Sequence, residues 1–98
     1  MNATAADAAH EAAEQLGALA RDLHDRGFTA HVTRVGDYEC VSVANRAVSQ
    51  LSENIRAAPA DDGTWWFWWS WGDRIARVSD VATAAFKIAY VLTPHTNR

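Results

Sequence analysis

His31 and Cys40 are the two side chains whose types could act together as a base and a nucleophile. Such a pair must lie side by side, and it also needs a third group that orients the histidine and donors that hold an oxyanion. The sequence predicts His31 and Cys40 on neighbouring strands and on the same face, but no pattern supplies the remaining groups. We interpret Cys40 as a cysteine beside a polar strand histidine and expect no enzymatic activity.

Metal and cofactor binding find no support in the spacing of possible ligands. His10 and His24 lie on the same side of a predicted helix, but their separation along its axis is about 21 Å, which is too long for a shared metal. The short motifs of zinc, dinucleotide and phosphate sites are absent from the sequence. Aspartates 61, 62 and 73 stand in predicted turns, where backbone geometry alone favours them. We expect no metal and no cofactor.

Length and composition restrict the class of protein. Ninety-eight residues suffice for one domain, residues 1–98, and 49% apolar with 21% charged residues excludes a disordered chain. No apolar run could span a membrane, and the N-terminus lacks the basic and apolar regions of a signal peptide. One cysteine excludes an internal disulfide and fits a reducing compartment. We expect a cytoplasmic protein without a membrane partner.

Nucleic acid is a partner that the charge disfavours. The net charge is −3, whereas nucleic-acid-binding proteins usually carry a basic excess. The candidates for a cationic groove beside the aromatic residues are Arg34, Arg56, Arg74 and Arg77. We therefore expect no nucleic acid.

Hydrophobic periodicity predicts two helices that enclose a series of strands. Apolar residues recur at helical spacing over 5–26 and 80–92, and they alternate with polar residues over 28–35 and 38–45. A Gly36-Asp37 turn pairs Val35 with Tyr38, which brings Thr33 opposite Cys40 and His31 opposite Ser42. Aromatic residues fill 64–71, and 74–78 reads as a short edge strand. Residues 47–57 fit a helix or a strand, and we choose a strand over 51–57.

These elements predict an α+β fold with an antiparallel meander of four to five strands. The N-terminal and the C-terminal helix are expected on one face of this sheet. In the aromatic strand, side chains alternate between faces, so Trp66 and Trp68 lie opposite a larger set made of Trp65, Phe67, Trp69 and Trp71. Because two helices shelter one face, we place the larger set in the core, with Ile88 packed against it.

The C-terminal half resembles a known group of proteins. The stretches L-S-E-N-I, D-D-G, W-F-W-W-S-W-G-D-R-I and D-V-A-T-A-A-F-K-I-A-Y-V-L lie within residues 51–92. They are similar to a group of small, uncharacterised actinobacterial proteins, in which a W-x-W-S-W-G core precedes an Ala-rich helix ending in V-L. The resemblance implies a strand at 51–57. It implies no activity and carries over no site residue.

The open face of the predicted sheet is the main candidate for function. Two adjacent tryptophans in water form a patch of the size that marks an interaction site, unless a loop or a chain terminus covers them. We expect association with a protein partner, most simply a homodimer, and the expected interface residues are Trp66, Trp68, His31, Ser42, Asn54 and Arg56. The alternative is a small-molecule site, in which a sugar or an aromatic ligand stacks on Trp66 and Trp68.

Overall fold

The strands pair in the order in which they occur in the chain. The computed structural model describes residues 5–94, and its elements are α1 (Ala5–Asp25), β1 (Phe28–Val35), β2 (Tyr38–Asn45), β3 (Ser52–Pro59), β4 (Trp65–Trp68), β5 (Arg74–Arg77) and α2 (Val81–Val91). The strands form one antiparallel sheet in the order β1-β2-β3-β4-β5. The predicted α+β meander is confirmed.

Both helices pack on the same face of the sheet. Helix α1 contacts β1, β2 and β3, whereas α2 lies beside α1 and contacts β5. The apolar stripes predicted for the two helices meet the inward residues of the strands in one hydrophobic cluster. Its fully buried side chains include Leu19, Leu23, Val41, Val43, Ile55, Phe67 and Ile88.

Local chemistry sets the ends of the helices. Gly27 follows α1 with φ of 98°, a left-handed conformation that stops a helix at little cost for glycine. At the start of α2, the Asp80 carboxylate accepts a hydrogen bond from the backbone N–H of Thr83 at 3.2 Å. This bond satisfies one of the free donors of the first turn, and the negative charge suits the helix N-terminus.

Asn45 explains why residues 46–51 form a loop and not a helix. Its side-chain oxygen accepts hydrogen bonds from the backbone N–H groups of Ala47 and Val48, at 2.8 and 3.0 Å. Its side-chain amide donates to the Leu92 carbonyl at 2.8 Å and so fixes this loop to the end of α2. The chain then enters β3, which confirms the strand interpretation of the ambiguous segment.

The β1–β2 hairpin has the predicted register. Val35 pairs with Tyr38, Thr33 with Cys40 and His31 with Ser42. Gly36 at the tip has φ of 61°, as the short turn requires. The outer half of this hairpin extends beyond the helices, so Val32 is 39% exposed although it shares the core face with its partner, Val41.

The aromatic strand is shorter than the sequence predicts. β4 ends at Trp68, and a turn follows in which the Trp69 N–H donates to the Asp73 carbonyl at 2.8 Å. The turn closes with a bond from the Gly72 N–H to the Trp69 carbonyl at 3.0 Å, and Gly72 has φ of 99°. Trp71 therefore lies in the turn and is 55% exposed, so its assignment to the core is wrong.

The alternation of faces is confirmed in the centre of the aromatic segment. Phe67 and Trp69 are buried beneath the helices, whereas Trp66 and Trp68 are half-buried on the other face. Trp65 is also only half-buried, so it does not follow the expectation for the larger set. It is the first residue of β4, at the end of the strand.

Replacement of Ile88 by alanine tests the packing of α2 on the sheet. Ile88 is fully buried in the same cluster as Trp69, so we expect the Ile88→Ala variant to lose about 2–4 kcal/mol in free energy of unfolding. Urea denaturation measures this loss. Val35→Ala, at a position 39% exposed, is the control and should cost less than about 1 kcal/mol. Equal losses for both variants would contradict the packing described here.

Candidate binding face on the open side of the sheet

The six predicted interface residues all lie on the sheet face away from the helices, which we call the open face. Cross-strand pairing arranges them in rows. One row contains His31, Ser42 and Asn54, and the next contains Cys40, Arg56 and Trp68. Trp66 lies in a third row, opposite Ala58. His31, Asn54 and Arg56 are exposed, and the other three predicted residues are half-buried.

A bulge in β5 adds two arginines to the open face. Trp66 pairs with Arg77 and Trp68 with Arg74, so one extra residue lies between these pairs on β5. This irregularity turns both Ile75 and Ala76 toward the helices, where they are 2% and 5% exposed. Arg74 and Arg77 consequently share the tryptophan face, although residues three apart in a regular strand would face opposite sides.

Guanidinium groups lie over the aromatic rings of this face. The Arg74 guanidinium carbon is 4.6 Å from the centre of the Trp66 ring, and that of Arg77 is 5.7 Å from it. On the neighbouring strands, the Arg56 guanidinium lies 5.2 Å from the centre of the Tyr38 ring. Such cation–π contacts contribute about 0.5–1 kcal/mol each at exposed sites. They cover part of the aromatic surface and concentrate positive charge above it.

The two tryptophans of the open face differ in their indole N–H groups. Trp68 Nε1 donates to the Ala58 carbonyl at 2.9 Å, which fixes its ring against β3. Trp66 Nε1 is buried and has no hydrogen-bond partner. A buried donor without an acceptor costs free energy. A shift of the guanidiniums that admits an acceptor would recover it.

Trp68 borders two hollows of the open face. One, of about 260 Å³, combines aromatic and hydrogen-bonding groups, and its lining includes Tyr38, Asn54, Arg56, Trp68 and Ser70. The other, of about 450 Å³, has Asp61 and Asp62 in its lining beside Arg74. The backbone N–H of Thr64 donates to the Asp62 carboxylate at 3.0 Å and lowers the pKa of this group below its ordinary value. The second hollow therefore places the carboxylates of Asp61 and Asp62 in the same lining as Arg74.

Cys40 and His31 do not form a direct cross-strand pair. Cys40 lies opposite Thr33 and Arg56, while His31 lies opposite Ser42. Cys40 is fully buried although it lies on the open face, and this burial raises the pKa of its thiol. Within residues 5–94, no three histidine, cysteine or acidic side chains come close enough to hold a metal ion.

Three residues of the open face are not among the predicted interface residues: Tyr38, Arg74 and Arg77. The predicted register already places Tyr38 on the same face as Cys40, so the sequence contained the signal for Tyr38 as an interface residue. The two arginines were considered only for nucleic acid, and the bulge that brings both to this face has no signature in the sequence.

Comparison with protein families, with curated proteins and with solved structures finds no match for this chain. The resemblance to small actinobacterial proteins therefore stays a prediction. No helix in the described part of the chain has the length and hydropathy needed to cross a membrane.

The burial of Cys40 predicts an unreactive thiol. The thiolate is the reactive form, and burial both raises the thiol pKa and blocks the approach of a reagent. We expect an aromatic disulfide reagent at mildly alkaline pH to modify native protein roughly 100-fold or more slowly than protein unfolded in urea. Absorbance of the released thiolate measures both rates, and a free cysteine peptide in the same urea is the control. Similar rates for native and unfolded protein would refute the burial.

Proposed function

We propose that this protein is a non-enzymatic interaction module whose open face binds an acidic segment of a protein partner. The observation that carries the proposal is the arrangement of three arginines over the aromatic rings of one sheet face. Tryptophan, tyrosine and arginine are the residues that dominate binding energy at protein interfaces. Here all three types occur together on the face opposite to α1 and α2.

The distribution of charge favours an acidic partner. The net charge of the chain is −3, so the residues other than Arg56, Arg74 and Arg77 have a combined charge of −6. The open face thus presents three arginines on an otherwise acidic protein, with Asp61, Asp62 and Glu53 in the linings of its hollows. It would attract carboxylates of a partner and orient the encounter, since charge complementarity raises association rates and excludes wrong partners.

A protein partner fits this face better than a nucleic acid does. Asp61 and Asp62 line the hollow that Arg74 shares with Trp68, and their charge would repel a phosphate backbone. A peptide segment can place its carboxylates at the arginines and its uncharged side chains at Trp68, beside these aspartates. A single-stranded oligonucleotide cannot vary its charge along the chain in this way.

Self-association through the open face, with Trp66 and Trp68 near a two-fold axis, stays a prediction. Such a dimer would bring Arg56, Arg74 and Arg77 of one copy toward the same residues of the other. Like charges at close range oppose the pairing. A dimer of this kind should therefore become stronger with added salt, whereas binding of an acidic segment should become weaker.

A small-molecule site is the second candidate function. The hollow of about 260 Å³ that includes Tyr38, Asn54 and Arg56 offers an aromatic wall and several hydrogen-bonding groups. A sugar or an aromatic ligand could stack on Trp68 there. Quenching of tryptophan fluorescence by a panel of such ligands would support this alternative.

We further propose a cytoplasmic location. The support is the single cysteine, which is buried and unpaired, as is usual where thiols are kept reduced.

Binding of a defined peptide pair tests the acidic-partner proposal. The probe is a fluorescent peptide of alternating glutamate and leucine, and its counterpart alternates lysine and leucine. We expect fluorescence anisotropy to show binding of the acidic peptide only. Because the contact is partly electrostatic, the affinity should fall with rising salt, and Arg74→Ala should weaken it roughly 5-fold or more.

Arg34→Ala is the matched control, since Arg34 is an exposed arginine outside the open face. It removes the same charge and should leave the affinity nearly unchanged. Equal weakening by Arg34→Ala and Arg74→Ala would show non-specific attraction and contradict the proposal. Preference for a single-stranded oligonucleotide over the acidic peptide would also contradict it.

A further inference from the structure

The apolar side chains with the highest exposed fractions lie outside the open face. Phe86 and Tyr90, one helical turn apart on α2, are each 61% exposed, and Val91 is 48% exposed. Trp71, in the turn after β4, is 55% exposed and stacks on Trp69 with ring centres 4.8 Å apart. We call Trp71, Phe86, Tyr90 and Val91 the α2 patch.

The α2 patch surrounds an apolar hollow. This hollow, of about 380 Å³, is lined by Trp69, Phe86, Lys87, Tyr90 and Val91. Its wall is continuous with Trp71 through the stacked ring of Trp69. The hollow can therefore receive an aromatic ring from another molecule.

Little charge lies on or around the patch. Helix α2 contains one ionisable basic residue and no acid, and the Lys87 ammonium donates to the Ile75 carbonyl at 2.9 Å. The Asp73 carboxylate accepts a hydrogen bond from Trp71 Nε1 at 2.9 Å. The α2 patch carries one cation, Lys87, where the open face has three arginines, so two identical patches meet with less repulsion than two open faces.

The exposed area agrees with the centre of a small dimer interface. An aromatic side chain presents about 150–250 Å², so three that are each a little over half exposed offer roughly 300–400 Å² per copy. A stable interface buries about 800 Å² per partner, of which the apolar centre is a part and a polar rim is the rest. An apolar patch of this size is within the range of the largest patch on a typical monomer, and such a patch often has a function.

We propose that the α2 patch binds a second copy of this chain. In the dimer, the two α2 helices pack antiparallel about a two-fold axis, with Phe86 of each copy in the apolar hollow of the other. Antiparallel packing also places opposite ends of the helix dipoles together. The open faces stay uncovered, so the dimer presents two binding faces for acidic segments.

The oligomeric state of matched variants tests this proposal. Sedimentation equilibrium should show the wild type as a dimer at tens of micromolar, with little change at high salt, because the contact is apolar. Phe86→Asp places an unpaired charge in a desolvated centre and should weaken the dimer roughly 100-fold or more. Trp68→Asp, the same change on the open face, should leave the dimer intact.

A covalent test does not depend on the solubility of the charged variant. Phe86→Cys in a Cys40→Ala background should form an intermolecular disulfide under mild oxidation, seen as a dimer on a non-reducing gel. Thr29→Cys in the same background is the control and should stay monomeric. A monomeric wild type, a dimer that only Trp68→Asp dissociates, or equal cross-linking of both cysteine variants would overturn the proposal.

Discussion

Two helices can cover only one face of this sheet, and the rest of the structure depends on that limit. Five strands spaced about 4.8 Å apart make a sheet roughly 24 Å wide, and two helices about 10 Å across match one such face. The strand period then divides the residues. Val43, Ile55 and Phe67 enter the core, while their chain neighbours face away from it. The second face has to be stable in water without a helix above it.

On the open face, arginines that lie over the aromatic rings reduce the apolar surface in contact with water. The guanidiniums above Trp66 and Tyr38 belong to exposed arginines, and they cover part of the ring surface. The open face is therefore amphipathic, because guanidinium groups lie beside its aromatic rings. More apolar surface is exposed at the α2 patch, where Phe86 and Trp71 are 61% and 55% exposed. The protein therefore has two surfaces of different chemistry, one that combines aromatic rings with arginines and one that is mainly apolar.

Most of the fold could be predicted from sequence because it depends on local rules. The glycine turn at Gly36 set the hairpin register, and helical periodicity placed Ile88 in the core. Trp71 was assigned to the strand because aromatic residues favour β-structure. In the structure the strand ends at Trp68, and the turn closed by Gly72 already begins at Trp69. The two arginines that β5 adds to the open face were not predicted there, for a different reason. Their placement depends on the extra residue Ile75, and the position of a bulge follows from tertiary packing and not from any local pattern.

The sequential order of the strands also has a consequence for how the chain folds. Every strand pairs with its neighbour in sequence, and the connecting segments are two to six residues long. Short loops lose little entropy on closure, so the hairpins can form one after another at high rates. The hydrogen bond from Asn45 to the Leu92 carbonyl joins residues 47 positions apart, and the contact of α1 with α2 spans most of the chain. Docking of the C-terminal helix therefore forms the contacts of longest range in the sequence, whereas the sheet is built from contacts between neighbouring strands.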